Sequence, residues 1–491
     1  MGKTDEKTLS FPLVAGRYDF DILNTPSGDN SPEFVFKIRR NFLTESVGIL
    51  LTSDRRIGRL DVFLLEMEGM QVTDYRPRIA DKLLAEHLSA FGAVCVEGPM
   101  WCGKTWTSMR QAASICPIGD SADNFATRRR VEMDIQYAFD GPEPRLIDEW
   151  QIVPAIWDAT RSQVDRKHGH GRFILTGSAT PPRKGVHHSG AGRIARFRMR
   201  PMSLWESGAS EGTVSLEAVC ANEPIGVVPN RRPELREIIE LVLRGGWPES
   251  VGSPFQQAVR VPASYVRSLL DRKMPGVDDA RHNRHKMELL LRSLARNEST
   301  TAALATIRDD IEEVDATSLS VNTVNGYLDA FKRIYLTNDI EPFSTFLRSP
   351  ARIKQAPKRH FCDPSIAAAL LGASEKMLLR DLRTFGFLFE SLAIRDLQIY
   401  AESLDAKLFH YQDYEGREID AVIQFDDGAW SAFEIKLNPG DVDDAAVNLK
   451  KVAAIFRHNP PTSLSVVVGK SGIAHRREDG VYVLPITSLR P

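Results

Sequence analysis

Ala93-Val-Cys-Val-Glu-Gly98-Pro-Met-Trp-Cys-Gly103-Lys104-Thr105 contains a short apolar run, a loop with Gly-x-x-x-x-Gly-Lys-Thr spacing, and a segment able to open a helix. That is the P-loop pattern. A nucleoside triphosphate presents several oxyanions, and they need many donors with no side chain in the way. Glycines at 98 and 103 let the backbone wrap closely, so that its amides point at the phosphates. Lys104 is expected at the β- and γ-phosphates, and the Thr105 hydroxyl on a magnesium ion. The stretch therefore asks for ATP and Mg²⁺. The loop contacts are assigned to Gly98, Pro99, Trp101, Cys102, Gly103, Lys104, Thr105 and Trp106.

Downstream, Arg145-Leu-Ile-Asp148-Glu149 is an apolar strand ending in two carboxylates, the Walker B pattern. Asp148 is expected to hold Mg²⁺, directly or through water, and Glu149 to polarise the attacking water. Arg172-Phe-Ile-Leu-Thr176-Gly-Ser178 is a further apolar strand ending in hydroxyls, one of which can sense the γ-phosphate. Three strands separated by helical segments imply a mostly parallel sheet covered on both faces. Ligands on such sheets sit at the carboxyl ends of the strands, where all three motifs fall. Residues 161–200 are rich in arginine, with Arg193 and Arg196 best placed to read the γ-phosphate, in the same chain or across an oligomer. The pair His187-His188 lacks further ligands at metal spacing.

At 491 residues the chain is too long for one core, and about three domains is the expectation. Apolar content of 42% and charged content of 26% fit a soluble protein, and a net charge of −2 leaves room for a local basic face. Five cysteines with no Cys-x-x-Cys spacing suit a reducing cytoplasm. No apolar run reaches the roughly 18 residues a membrane span needs. Residues 1–72 carry mixed strand and turn signals, at 33–37 and 57–65, without a chemical motif.

The order Gly-Pro-x-x-x-Gly-Lys-Thr, Leu-Ile-Asp-Glu-Trp-Gln-x-x-Pro, Phe-Ile-Leu-Thr-Gly-Ser, Gly-Ala-Gly-Arg193-Ile, Met-Ser-Leu-Trp-Glu206 and Gly-Gly-Trp-Pro-Glu249 resembles a large prokaryotic family of AAA+-superclass ATPases with a C-terminal domain of unknown function. The resemblance runs from about Tyr75 to about Gly469. It implies nucleotide contacts at 98–105, the Asp148–Glu149 pair, and a sensor at Thr176 or Ser178. Many members have a basic residue and Gln where this chain has Met100-Trp101-Cys102, which leaves a cradle made of backbone intact.

Beyond Glu206, residues 233–244 and 258–272 read as helices of a lid. Residues 286–296, 300–312 and 320–336 form three helices followed by strand-like Ile340-Glu-Pro-Phe343, a winged helix-turn-helix pattern. Asn322, Thr323, Asn325 and Lys332 on its polar face are the candidate DNA contacts. In the last domain, a strand through Asp420 and a strand carrying Glu434-Ile-Lys436 pair back as a hairpin, with Glu390 on a preceding helix. This resembles the PD-(D/E)xK nuclease core. Asp420 and Glu434 are its candidates for a second Mg²⁺, with Lys436 and Glu390 beside them.

The expected architecture is thus α/β: an N-terminal extension (1–72), a P-loop ATPase core (73–205), a helical lid (206–275), a winged helix-like block (276–350) and a nuclease-like α/β domain (351–491). The expected function is a cytoplasmic Mg²⁺-dependent ATPase of AAA+ type, with Lys104, Glu149, Ser178 and Arg193 in catalysis, whose nucleotide state drives the C-terminal half on DNA. One rival is an ATP-regulated Mg²⁺-dependent DNA nuclease. Another is a slow-turnover switch signalling to a protein partner.

Overall fold

A computed structural model describes residues 7–13, 16–24, 34–39, 75–122, 124–179, 188–271, 284–313, 320–345 and 355–491. The chain divides into two compact units, Met1–Tyr75 and Arg76–Pro491. In the first, β1 (Lys7–Leu13), β2 (Gly16–Asn24) and β3 (Phe34–Arg39) form an antiparallel meander. The register runs Lys7↔Ile22 and Asn24↔Phe34. The strand expected at 33–37 falls on β3, and the one at 57–65 lies outside the described residues.

The second unit opens with the helix Ile79–Ala90, which buries Leu83, Leu84 and Leu88. Five strands then build one sheet: β4 (Ala93–Glu97), β5 (Ser114–Pro117), β6 (Arg145–Asp148), β7 (Phe173–Gly177) and β8 (Ile194–Arg198). Their order is β5-β6-β7-β4-β8 and every neighbouring pair is parallel. The central strands are buried on both faces, which is why β4 and β7 read as unbroken apolar runs. After β4 the chain crosses to the far edge and returns through β6 and β7. The reversal of strand order beside β4 leaves a crevice at its carboxyl end.

The sheet has two strands more than the three the motifs imply. The helix after the P-loop ends at Met109, and residues 114–117 form β5. The arginine-rich stretch contains β8, whose apolar residues face the sheet while Arg196 points out. The helix Ala126–Met133 breaks before residue 139, because the Asp134 carboxylate accepts the Gln136 amide and opens a 3-10 turn, Ile135–Phe139.

Beyond the sheet come the helices Leu235–Arg244, Arg260–Leu270, Arg284–Arg296, Leu304–Glu312, Val321–Arg333 and Pro364–Leu370. They share one continuous apolar core with the long helix Leu382–Glu402. Two short strands precede most of these helices, β9 (Val214–Ser215) and β10 (Val228–Pro229). The remaining strands are β11 (Lys407–Gln412), β12 (Glu418–Gln424), β13 (Trp430–Lys436), β14 (Ser463–Val468), β15 (Ile473–Arg476), β16 (Tyr482–Pro485) and β17 (Leu489–Arg490). They form a seven-stranded sheet, β10-β15-β16-β14-β13-β12-β11, and a separate β9–β17 pair. The stretch expected as a lid is therefore stitched to the end of the chain through β9 and β10. Among the described residues, no helix is long and apolar enough to cross a membrane.

Candidate functional site

The carboxyl ends of β4, β6 and β7 converge on the P-loop. Glu97 is level with Gly177 on one side and Arg198 on the other, so Gly98 leaves the sheet beside both neighbours. A Cβ on Gly98 would lie 2.2 Å from the Met199 carbonyl oxygen, so only glycine lets the loop pass β8's exit. Lys104 is buried, and its ammonium donates to the carbonyls of Gly98 (3.0 Å) and Pro99 (2.7 Å).

Thr105, in the first turn of the helix Lys104–Met109, donates its hydroxyl to Asp148 Oδ1 at 2.8 Å. Thr176 donates to the same oxygen at 2.5 Å and accepts the Glu149 amide at 3.2 Å. One threonine thus pins both Walker B residues. Glu149 has φ of 57°, a left-handed conformation that costs a non-glycine residue roughly 1 kcal/mol or more. The turn swings its side chain off the line of β6, past Gly119, where an added Cβ would come within 3.3 Å of the Glu149 Cβ and Cγ. There Glu149 Oε2 accepts from Ser178 Oγ (3.1 Å) and from Gln151 Nε2. A carboxylate held by two donors at the mouth of a phosphate loop can orient and polarise water.

Other expected residues fall in different places. Cys102 is buried and its carbonyl accepts from Arg78. Trp101 is 44% exposed and meets Tyr265 of the helix Arg260–Leu270 edge-on, with centroids 5.3 Å apart. Trp106 is also half-exposed. Arg193 is not brought into this set. It precedes Ile194, which pairs with Ala93 at the amino end of β4, and its guanidinium binds Asp165 at 2.7 Å. That places it a whole strand away from the P-loop, roughly 16 Å at 3.3 Å per residue. Arg196 is closer, but it pairs with Glu97 (3.1 Å) and stacks over Trp157.

Three families of known domains match the chain. The model described as an AAA domain matches residues 90–207. Residues 90–207 are thus similar to an AAA domain. Two domains of unknown function, DUF8612 and DUF4143, match residues 235–377 and 385–489. Uncharacterized proteins of Mycobacterium bovis and Mycobacterium tuberculosis are each 23% identical over 348 residues, 70% of this chain and 70% of theirs. The crystal structure of a DNA replication initiation factor covers 57% of this chain and 91% of its own, at 12% identity and a TM-score of 0.22. That superposition is too loose to bear on function.

Sequence reasoning missed Arg78, which ties the P-loop to the segment leaving β8. Its guanidinium donates to Glu206 (2.9 Å), to the Cys102 carbonyl (2.8 Å) and to the Arg200 carbonyl (2.8 Å). Glu206 also accepts from the Ile79 amide and from Ser203. The P-loop is thereby fastened to the segment leaving β8. That segment reaches the C-terminal half: Arg200 binds both oxygens of Glu402 (2.9 and 2.6 Å) and Asn338 (2.8 Å), while the Leu204 amide donates to Asp396. Gln151, two residues after Glu149 in the same motif, is a second such residue: its amide reaches both Glu149 and Ser178. Arg78 carries no comparable local signal.

The second expected site lies on the C-terminal sheet. Extending the register Ala421↔Phe433 by one step sets Asp420 across from Glu434, with Glu390 on the long helix beside them. The structure brings Asp420, Glu434, Lys436 and Glu390 together, and it adds Lys358, whose ammonium lies 2.5 Å from Glu390 and 3.2 Å from Asp420. Lys436 lies 2.6 Å from Glu434 and 3.6 Å from Asp420. Against the cost of burial, the two lysines hold the Asp420 carboxyl below its ordinary range. Burial pushes the Glu390 and Glu434 carboxyls up.

Proposed function

We propose that the protein hydrolyses ATP and uses the nucleotide state to move its C-terminal half. The observation that carries this reading is the grouping of Lys104, Thr105, Asp148, Glu149 and Ser178 at the carboxyl edge of the parallel sheet. Lys104 exchanges the Gly98 and Pro99 carbonyls for β- and γ-phosphate oxygens. The Thr105 hydroxyl and the Asp148 carboxylate, hard oxygen donors already 2.8 Å apart, suit Mg²⁺. Bound there, that ion would neutralise charge on the phosphates. Glu149 takes the water proton, with Ser178 and Gln151 fixing the carboxylate. Release of the γ-phosphate frees Lys104 to return to its loop. The Cys102–Arg78–Glu206 clamp and the Arg200–Glu402 pair then relay the change.

The test is phosphate release by the full chain, with and without duplex DNA, beside Glu149→Gln. We expect turnover to fall at least about 100-fold in the variant while ATP binding persists. Unchanged turnover would refute the assignment. Stimulation by DNA would make nucleic acid the substrate of the C-terminal half, and indifference to it would favour a protein partner.

A further inference from the structure

A PD-(D/E)xK-like core implies a divalent metal held by its carboxylates, and the cluster on the C-terminal sheet does not fit one. The oxygens of Asp420 and Glu434 are already engaged. Asp420 Oδ1 faces Lys358, and Oδ2 accepts the Ile435 amide at 2.9 Å. Glu434 Oε2 accepts from Lys436 at 2.6 Å, and Oε1 from Asn448 at 2.8 Å. Glu390 Oε1 is in contact with Lys358. Among the described residues, no group of three or more His, Cys, Asp or Glu side chains is arranged to hold a metal ion.

We infer that the Lys358 ammonium is the resident cation of this cluster, bridging Glu390 and Asp420 where a phosphodiester-cleaving site would hold its metal. Lys358 is not a surface side chain folded in by chance. The residue is 5% exposed, and it belongs to an extended segment tied down along its length. Lys358 exchanges both backbone hydrogen bonds with Ile340, each 2.9 Å. The Arg359 amide donates to Thr300 and its carbonyl accepts from Ser299, while its guanidinium binds Asp339 at 2.6 Å. The cation is thus held in place by backbone pairing with residues of the preceding block, Ser299, Thr300 and Ile340, which the cluster itself does not supply. The Glu390 and Asp420 carboxylates that face the ammonium offset the cost of burying its charge. A divalent ion at oxygen distances of about 2 Å would share its ligands with that ammonium, and repulsion excludes it. The nuclease-like sheet, folded in this way, has no metal with which to cleave DNA.

The test is Mn²⁺ binding to the full-length protein without nucleotide, read by electron paramagnetic resonance. Wild type and Asp420→Asn should give the same isotherm. Lys358→Met should gain one equivalent, bound at least about tenfold more tightly than any wild-type site, and Lys358→Met with Asp420→Asn should lose it. A wild-type equivalent removed by Asp420→Asn would overturn the inference, as would a folded Lys358→Met that gains none. If either variant fails to fold by circular dichroism, wild type against Glu390→Gln decides alone. Identical isotherms then uphold the inference, and one lost equivalent refutes it.

Discussion

Thr105 and Asp148, separated by 43 residues in the chain, meet at 2.8 Å where the phosphate loop crosses the end of β6. The contact is direct because β4 and β6 end at the same level, one strand apart, on either side of β7. Two oxygens so placed should act as one metal site. Thr105→Ala and Asp148→Asn are each expected to weaken Mg²⁺-dependent ATP binding, and the double variant to lose less than the sum of the two. Calorimetric titration with and without Mg²⁺ checks this, and fully additive losses would count against a shared ion.

Arg193 lies at the amino end of β8, paired with Asp165, so it cannot reach a nucleotide held by its own P-loop. If it serves hydrolysis, it serves a neighbouring copy. Arg193→Ala should then lower turnover by about 100-fold or more. Mixing it with Glu149→Gln should restore part of the rate, because mixed contacts pair an intact arginine with an intact carboxylate. No recovery on mixing, at concentrations where wild-type activity is saturated, would remove Arg193 from the reaction.

Arg78 and Glu206 form an ion pair with side chains 4% and 1% exposed. Removing the arginine strands a buried carboxylate and leaves the Cys102 and Arg200 carbonyls without this donor. Arg78→Ala should therefore cost about 3–5 kcal/mol in chemical unfolding. Arg78→Met with Glu206→Met should recover only part of that, since the two carbonyls still lack their donor. ATP affinity should fall in both variants, because the P-loop loses its tether.

His410 is buried, and burial, helped by the nearby Lys358 charge, lowers its pKa from 6.5 to about 4. The folded protein thus holds it neutral, while the unfolded chain takes up a proton below about pH 6.5. Its contribution is fully present above that pH and is lost as pH falls towards 4, amounting to roughly 3 kcal/mol across the window. Urea unfolding of wild type and His410→Gln between pH 7 and 4 should show a shallower decline in the variant. Parallel curves would show that His410 does not carry the effect.

Sequence alone determined which residues make up the candidate nucleotide site. Gly98, Gly103, Lys104 and Thr105 act through spacing on one loop, and Asp148 and Glu149 follow a single apolar strand, so neighbouring residues suffice to place them. β5 and β8 escaped notice because one is four residues closed by a proline and the other alternates arginine with apolar residues at a sheet edge. Only the tertiary structure decided which distant groups meet. Backbone pairing of residues 358 and 340 carries a lysine into the carboxylates of Glu390 and Asp420, and the order of five strands puts Arg193 at the wrong end for its own phosphate loop. Such meetings depend on the packing of segments tens to hundreds of residues apart, and neither spacing nor residue type along the chain records them.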